Sequence, residues 1–271
     1  MLSNNEQPDI ARRFTGVARL YGQAGLARFQ AAHVCIIGIG GVGSWAVEAL
    51  ARNAIGRISL IDLDNIAESN VNRQLHAVEG EFGKAKVTAM AERIRAINPG
   101  CIVHEIEDFI TLENMEALLN QGYDGIIDAI DDARIKAAMA AYCRRNKLPL
   151  IMTGGAGGRL DPTRINQADL AKTSGDRLLA KVRTLLRHDY GFPRDAKAKF
   201  HIPCIFSDEP IIQPKQACES PNEVIEVAER GQHPALSGLN CAGYGSSVCV
   251  TASFGMAASA FILRQLSTAA D

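Results

Sequence analysis

Short apolar runs alternate with stretches of helical period through the first half of this chain. His33–Ile37, Arg57–Ile61 and residues 123–130 and 148–153 are brief and rich in Ile and Val, as strands covered on both faces require. Residues 102–109 alternate in the manner of a half-buried strand. Between these runs, apolar residues recur at three- and four-residue spacing: Trp45, Val47 and Leu50 over residues 44–53, and Val87, Met90, Ile94 and Ile97 over 84–97. Asn98-Pro99-Gly100 stops the second of these helices, Thr111 opens a short one, and Ala133–Asn146 forms another. Residues 11–30 read as a basic N-terminal helix carrying Arg12, Arg13, Arg19 and Arg28, with a break at Gly22. Strand and helix in alternation predict a parallel sheet with right-handed crossovers.

The pattern loosens after Thr153. Five residues, Gly154-Gly155-Ala156-Gly157-Gly158, mark a hinge or a close backbone approach. Beyond them the chain predicts a strand over 163–168, a basic helix over 176–190, short β segments over 202–206 and 223–227, and a closing helix. The expected organisation is therefore an N-terminal helical segment (1–30), a nucleotide domain (31–155), and a smaller, irregular α+β part (156–271) for substrate binding and dimerisation.

Composition narrows this only slightly. The 271 residues carry a net charge of −1, so any affinity for nucleic acid must come from a local patch. Residues 1–9 are polar and acidic, unlike a secretory signal, which points to the cytoplasm. Seven widely spaced cysteines with no C-x-x-C pair argue for a reducing compartment and against a structural zinc. Cys35 and Cys249 lie in apolar runs and read as packing, whereas Cys241 falls in a glycine-bearing loop where a thiol has access. Residues 248–263 are long and apolar enough to imitate a membrane span, but their Ala, Ser and Gly content suits a helix buried in a core or at a subunit interface.

The chemistry gathers at Gly38-Ile39-Gly40-Gly41-Val42-Gly43, which follows one predicted strand and opens one predicted helix. Gly38, Gly40, Gly41 and Gly43 allow a sharp turn and a close approach to phosphate, and the helix start offers N–H groups to it. Asp62 ends the next strand nineteen residues later, where a carboxylate meets a ribose. A dinucleotide-dependent oxidoreductase uses the same pattern. It has no task at the phosphates for Arg73 and Lys86, whereas an enzyme that attacks a nucleotide phosphorus needs such cations. Asp131 at a strand's carboxyl end is placed to hold Mg²⁺.

Together GIGGVG (38–43), DLD (62–64), SNVNRQ (69–74), GKAK (83–86) and DAID (128–131) resemble the E1-like activating superfamily, which adenylates ubiquitin-like sulfur carriers. The resemblance implies a Rossmann-like, mostly parallel sheet with helices on both faces. It implies ATP and Mg²⁺ bound by the four glycines, Asp62, Asp64, Asn70, Arg73, Gln74, Lys86, Asp128 and Asp131, with a monovalent cation (K⁺ or Na⁺) alongside. Lys86 and Arg73 would be catalytic, and an N-terminal arginine, Arg13 or Arg19, would act across a homodimer. Cys241 would be a candidate for sulfur relay with a cysteine desulfurase or acceptor partner. His76 lies near the phosphates and reads as structural.

Longer stretches, RRFTGVARLYG (12–22), TGGAGGRLDPTRI (153–165), PCIFSDEP (203–210) and NCAGYGS (240–246), are similar to one branch of that superfamily, the bacterial tRNA threonylcarbamoyladenosine dehydratases. That branch implies ATP activation of the threonine carboxylate followed by ring closure with loss of water. AMP transfer and phosphate transfer both fit these residues. A tRNA substrate needs cations: residues 172–199 hold eight Lys or Arg against three Asp. Arg144, Arg145, Lys147, Lys172, Arg177, Lys181, Arg183 and Arg187 are the candidates for RNA contact. The alternatives are an activator of a ubiquitin-like sulfur carrier and an NAD-dependent oxidoreductase.

Overall fold

The computed structural model describes residues 9–195, 197–213 and 244–268. Seven strands form one sheet: β1 (His33–Ile37), β2 (Arg57–Ile61), β3 (Ile102–Ile106), β4 (Gly125–Asp128), β5 (Leu150–Thr153), β6 (Ile165–Asp169) and β7 (Pro203–Ser207). Their spatial order is β3-β2-β1-β4-β5-β7-β6, and every pair is parallel except β6–β7. The order reverses at β1, so the crevice between β1 and β4 opens at their carboxyl ends, where open α/β sheets hold ligands.

Helices cover both faces, as the buried strand runs demand. On one side lie α1 (Ile10–Ala31), α2 (Gly43–Arg52), α3 (Lys86–Ile97) and the closing helix α7 (Val248–Thr268), packed around Val34, Ile36, Ile58 and Leu60. On the other lie α4 (Met115–Leu119), α5 (Ala133–Asn146) and α6 (Arg177–Asp189), around Cys35, Ile37, Ile126 and Met152. Successive residues of β1 thus feed opposite layers, which is the period-two geometry of a strand. The chain after residue 155 adds β6 and β7 to this same sheet and lays α7 across it, making the C-terminal residues continuous with the nucleotide layer.

Several elements differ from the sequence expectation for local reasons. Strand β3 ends at Ile106 because it is the sheet's edge and has only β2 to pair with. Helix α4 begins at Met115 rather than Thr111: Thr111 and Asn114 bond each other's backbone N–H in a closed turn first. Helix α3 begins at Lys86 rather than Lys84, because Ala85 bridges to Asn65 and holds the preceding chain extended. In α1 the break falls at Gly22, whose φ of 77° no helix accommodates. The β segment expected at 223–227 and Cys241 lie outside the described residues. Cys249 is exposed on the first turn of α7, so its reading as a packing residue is corrected. Cys35, Cys101 and Cys143 are buried, and burial pushes each thiol up to about 12.

Helix α7 meets the length and composition of a membrane span, yet it packs into the protein. Gly255 faces α2 so closely that a Cβ there would stand 2.4 Å from the Val42 carbonyl oxygen. Ser259 donates to the Ala46 carbonyl at 3.0 Å. Small residues let two backbones touch, which explains the helix's Ala, Ser and Gly content.

Candidate nucleotide-binding site

The glycine loop is a consequence of close packing. Gly38 (φ 86°) turns the chain out of β1, and a Cβ on Gly43 would lie 1.8 Å from the Gly38 carbonyl oxygen. Only glycine permits this turn, and the start of α2 receives no side-chain cap. The Ser44 and Ala46 N–H groups bond back to the Gly40 and Val42 carbonyls, and the N–H groups of the turn left over are the ones an anion can take.

Asp62 is the brace of this loop. One carboxylate oxygen accepts from the Ile39 N–H at 2.6 Å and the other from the Asp64 N–H at 2.8 Å. Burial raises its pKa, opposed first by the Lys86 ammonium and then by these N–H donors. Lys86, 5% exposed at the first position of α3, lies 2.7 Å from Asp64 and 4.0 Å from Asp62. The two carboxylates fix the position of this buried ammonium at the crevice.

The loop from 65 to 85 closes over the glycines. Asn70 accepts the Ala67 N–H, shaping the turn that carries Arg73. The Arg73 side chain lies over Gly41, where a Cβ would meet it at 3.1 Å. Its guanidinium donates to Ser69 O at 2.9 Å and Asn72 Oδ1 at 3.0 Å, while Trp45 Nε1 donates to the Arg73 carbonyl at 3.0 Å. Burial lowers the Arg73 pKa, countered by the carboxylate of Asp131 across the crevice. Gln74 is buried beside Gly40 and pairs with His76 at 3.1 Å; burial and Lys86 hold His76 down to about 4, so it is a neutral structural group. The structure thus brings Asp62, Asp64, Asn70, Arg73, Gln74, Lys86 and Asp131 around the glycine loop.

Asp128 does not join them. It is wholly buried and paired at 2.8 Å with Lys136, itself 0% exposed, which corrects its assignment as a nucleotide ligand. The sequence placed Asp128 correctly at a strand end, but the strand's last residue points into the layer, and Asp131 after it faces the crevice. Arg13 donates to the Ala96 and Ile97 carbonyls at the end of α3 in its own chain, whereas Arg19 is exposed. Among the described residues no three His, Cys, Asp or Glu cluster as a complete metal cage. One carboxylate beside a triphosphate suits Mg²⁺, which commonly keeps waters and takes phosphate oxygens as ligands.

The RNA candidates divide by place. Arg144 stacks on Phe192 at 4.5 Å and Arg145 on Tyr142 at 5.8 Å, bordering a groove of about 440 Å³ at the far end of α5. Lys147 closes the same helix in the left-handed conformation. A fourteen-residue helix is about 21 Å long, which separates these cations from the glycine loop by roughly that distance. On α6, Arg177 and Lys181 are exposed, as is Lys172 before it. Arg187 lies over Phe200, and Arg183 is half-buried and bonded to Thr173 Oγ1. Two contacts were not read from the sequence: the Lys136–Asp128 pair, and that of Tyr244, whose hydroxyl accepts from Arg177 at 2.7 Å.

The sequence profile of the ThiF family matches residues 12–261. The chain belongs to the ThiF family. Among its relatives, the tRNA threonylcarbamoyladenosine dehydratase of Escherichia coli is 48% identical over 256 residues, covering 94% of this chain and 93% of the relative. That of Bacillus subtilis is 42% identical over 192 residues, covering 70% and 73%. The crystal structure of the E. coli tRNA N6-threonylcarbamoyladenosine dehydratase in complex with ATP superposes with a TM-score of 0.83 at 45% identity, covering 96% of each chain. This ThiF-family chain therefore shares its sheet and its crevice with a protein whose structure contains ATP.

Proposed function

We propose that this chain is an ATP-dependent dehydratase that cyclises threonylcarbamoyladenosine in tRNA. The observation that carries the reading is the near-complete likeness to the E. coli dehydratase solved with ATP, together with Arg73, Lys86 and Asp131 converging on an uncapped helix start. ATP is a substrate here. The threonine carboxylate oxygen attacks a phosphorus, and the phosphate-side product (pyrophosphate or ADP) leaves. A carbamoyl atom bearing a proton then displaces the phosphorylated oxygen, which departs on AMP or phosphate, so the nucleoside loses one water.

The chain's own groups suit both steps. The N–H groups of the glycine loop hold phosphate oxygens, and Asp62 keeps that loop in shape. Lys86 and Arg73 stabilise charge growing on the attacked phosphate. Asp131 would hold Mg²⁺, which neutralises phosphate charge when bound. Arg144, Arg145, Lys147, Lys172, Arg177, Lys181, Arg183 and Arg187 form the cationic flank for RNA phosphates. Arg13 is spent on α3, so Arg19 is the better candidate to reach a partner copy in a homodimer. A cytoplasmic location follows from the tRNA substrate, and Cys241 is retained as a candidate thiol.

The test is nucleoside mass analysis of tRNA carrying threonylcarbamoyladenosine after incubation with the protein, ATP and Mg²⁺. The expected product is a nucleoside lighter by one water. An unchanged nucleoside, with ATP consumed only when a ubiquitin-like sulfur carrier is supplied, would overturn the reading in favour of carrier activation.

A further inference from the structure

A cavity of about 570 Å³ opens beside Arg73, between the loop at 68–73 and the segment at 244–246. Its size falls within the range of small-molecule clefts, roughly 300–1,000 Å³. The 244–246 wall is held from three directions. Asn72 Nδ2 donates to Ser246 O at 2.9 Å and to Ser246 Oγ at 3.0 Å. Gly158 N–H donates to the Gly245 carbonyl at 2.7 Å. Arg177 Nη1 donates to the Tyr244 hydroxyl at 2.7 Å. The Tyr244 side chain rests on a bare backbone: Cβ atoms built on Gly157 and Gly158 would stand 3.6 and 3.5 Å from it. A half-buried aromatic ring, fixed at its hydroxyl and backed by glycine, therefore lines a cavity that also contains the phosphate-side arginine.

We propose that this cavity receives the modified adenosine and that the base stacks on Tyr244; this rests on the dehydratase reading above. RNA-binding proteins take unpaired bases onto aromatic faces, and the flat π surface of adenine matches a Tyr ring immobilised in advance. Two observations favour a nucleic-acid base over a peptide tail. Among the described residues the wall offers a ring, hydroxyls, the Asn72 amide and the Glu68 carboxylate, with no strand edge along it for an extended main chain. Arg177, which fixes Tyr244, opens an exposed stripe on α6 that continues through Lys181, Thr184 and His188. Those positions are four, three and four residues apart, one face of a helix, and lead away from the cavity mouth as a track for a phosphate backbone. From a base on Tyr244, the threonine carboxylate extends toward Arg73 at the other side of the same cavity.

The test compares full-length wild type with Tyr244→Leu and Tyr244→Phe on tRNA carrying threonylcarbamoyladenosine. Tyr244→Leu should raise the KM for tRNA roughly tenfold to a hundredfold, the usual effect of removing one stacking ring. The affinity for a non-hydrolysable ATP analogue should not change, and Tyr244→Phe, which keeps the ring and loses the Arg177 bond, should raise the KM for tRNA less than Tyr244→Leu does. Tyr244→Trp gives a readout independent of turnover, since adding the tRNA should quench its fluorescence beyond any change seen in the wild type, whose one tryptophan is Trp45. A Tyr244→Leu enzyme with wild-type KM, or an unquenched Trp at 244, would overturn the stacking site while leaving the dehydratase reading intact. Equal losses of ATP and tRNA affinity would assign Tyr244 a structural role instead. A wild type inactive on this tRNA would overturn the reading beneath it.

Discussion

Lys86→Met removes one charge and keeps most of the buried stem. The ammonium is 5% exposed and is held by Asp64 at 2.7 Å and Asp62 at 4.0 Å. A unit charge acting at about 4 Å with an effective dielectric near 20 is worth about 4 kcal/mol. Part of that is felt equally by bound ATP and cancels from the rate. The share specific to the transition state is about 3 kcal/mol, a fall in kcat on the order of a hundredfold. A second consequence follows from Asp62, whose burial already raises its pKa and whose largest offset is Lys86. Without that ammonium the carboxyl rises further, and protonation would weaken its acceptance of the Ile39 N–H. The comparison is therefore made at several pH values, because a higher pH favours the ionised Asp62 that braces the loop. The assay is the time course of water loss from the modified nucleoside at saturating ATP and tRNA, with thermal unfolding as the control for folding. A kcat within threefold of wild type would refute the idea that Lys86 stabilises the attacked phosphate.

Two further outcomes concern stability. Lys136→Met strands Asp128 as a buried, uncompensated charge and should cost about 3–5 kcal/mol; adding Asp128→Asn should restore most of it, and urea melts of the four forms that show simple additivity would contradict the pairing. His76 is held down to about 4 in the folded protein against about 6.5 when unfolded, so its contribution is present above pH 6.5 and is lost as pH falls toward 4. The loss should approach about 3 kcal/mol, and it should shrink in His76→Gln. Identical urea midpoints for the two proteins at pH 4.5, relative to pH 7, would dismiss His76 as the source.

Local chemistry carried much of this protein in its text. His33–Ile37 and Arg57–Ile61 were legible as strands because residues covered on both faces must be apolar throughout, and the structure has them with those bounds. The glycine loop was legible because Gly38 and Gly43 answer to hard sterics that no other residue satisfies. Ala133–Asn146 was legible as the helix between two apolar runs, and Asp132 caps it as a short acidic side chain should. Strand ends were less so: residues 123–130 shortened to Gly125–Asp128, because pairing with β1 and β5, rather than composition, sets where a strand stops.

What only the tertiary structure decided is where side chains face and what they meet across the chain. Asp128 and Asp131 are equivalent as letters near a strand's end; the fold pairs the first with Lys136 in the interior and leaves the second within electrostatic reach of Arg73. Arg13 looked free to reach a partner, yet the carbonyls of α3, more than eighty residues away, take it up. The closing helix carries the composition of a membrane span, and its burial against α2 rests on Gly255 and Ser259 meeting Val42 and Ala46. Tyr244 stood inside the NCAGYGS stretch with no role of its own, since an aromatic residue acquires one only when glycines at 157 and 158 and the head of Arg177 arrive around it. Sequence patterns report constraints between residues a few positions apart, set by backbone sterics and period. Contacts between distant segments depend on how the layers stack, and no local pattern encodes that.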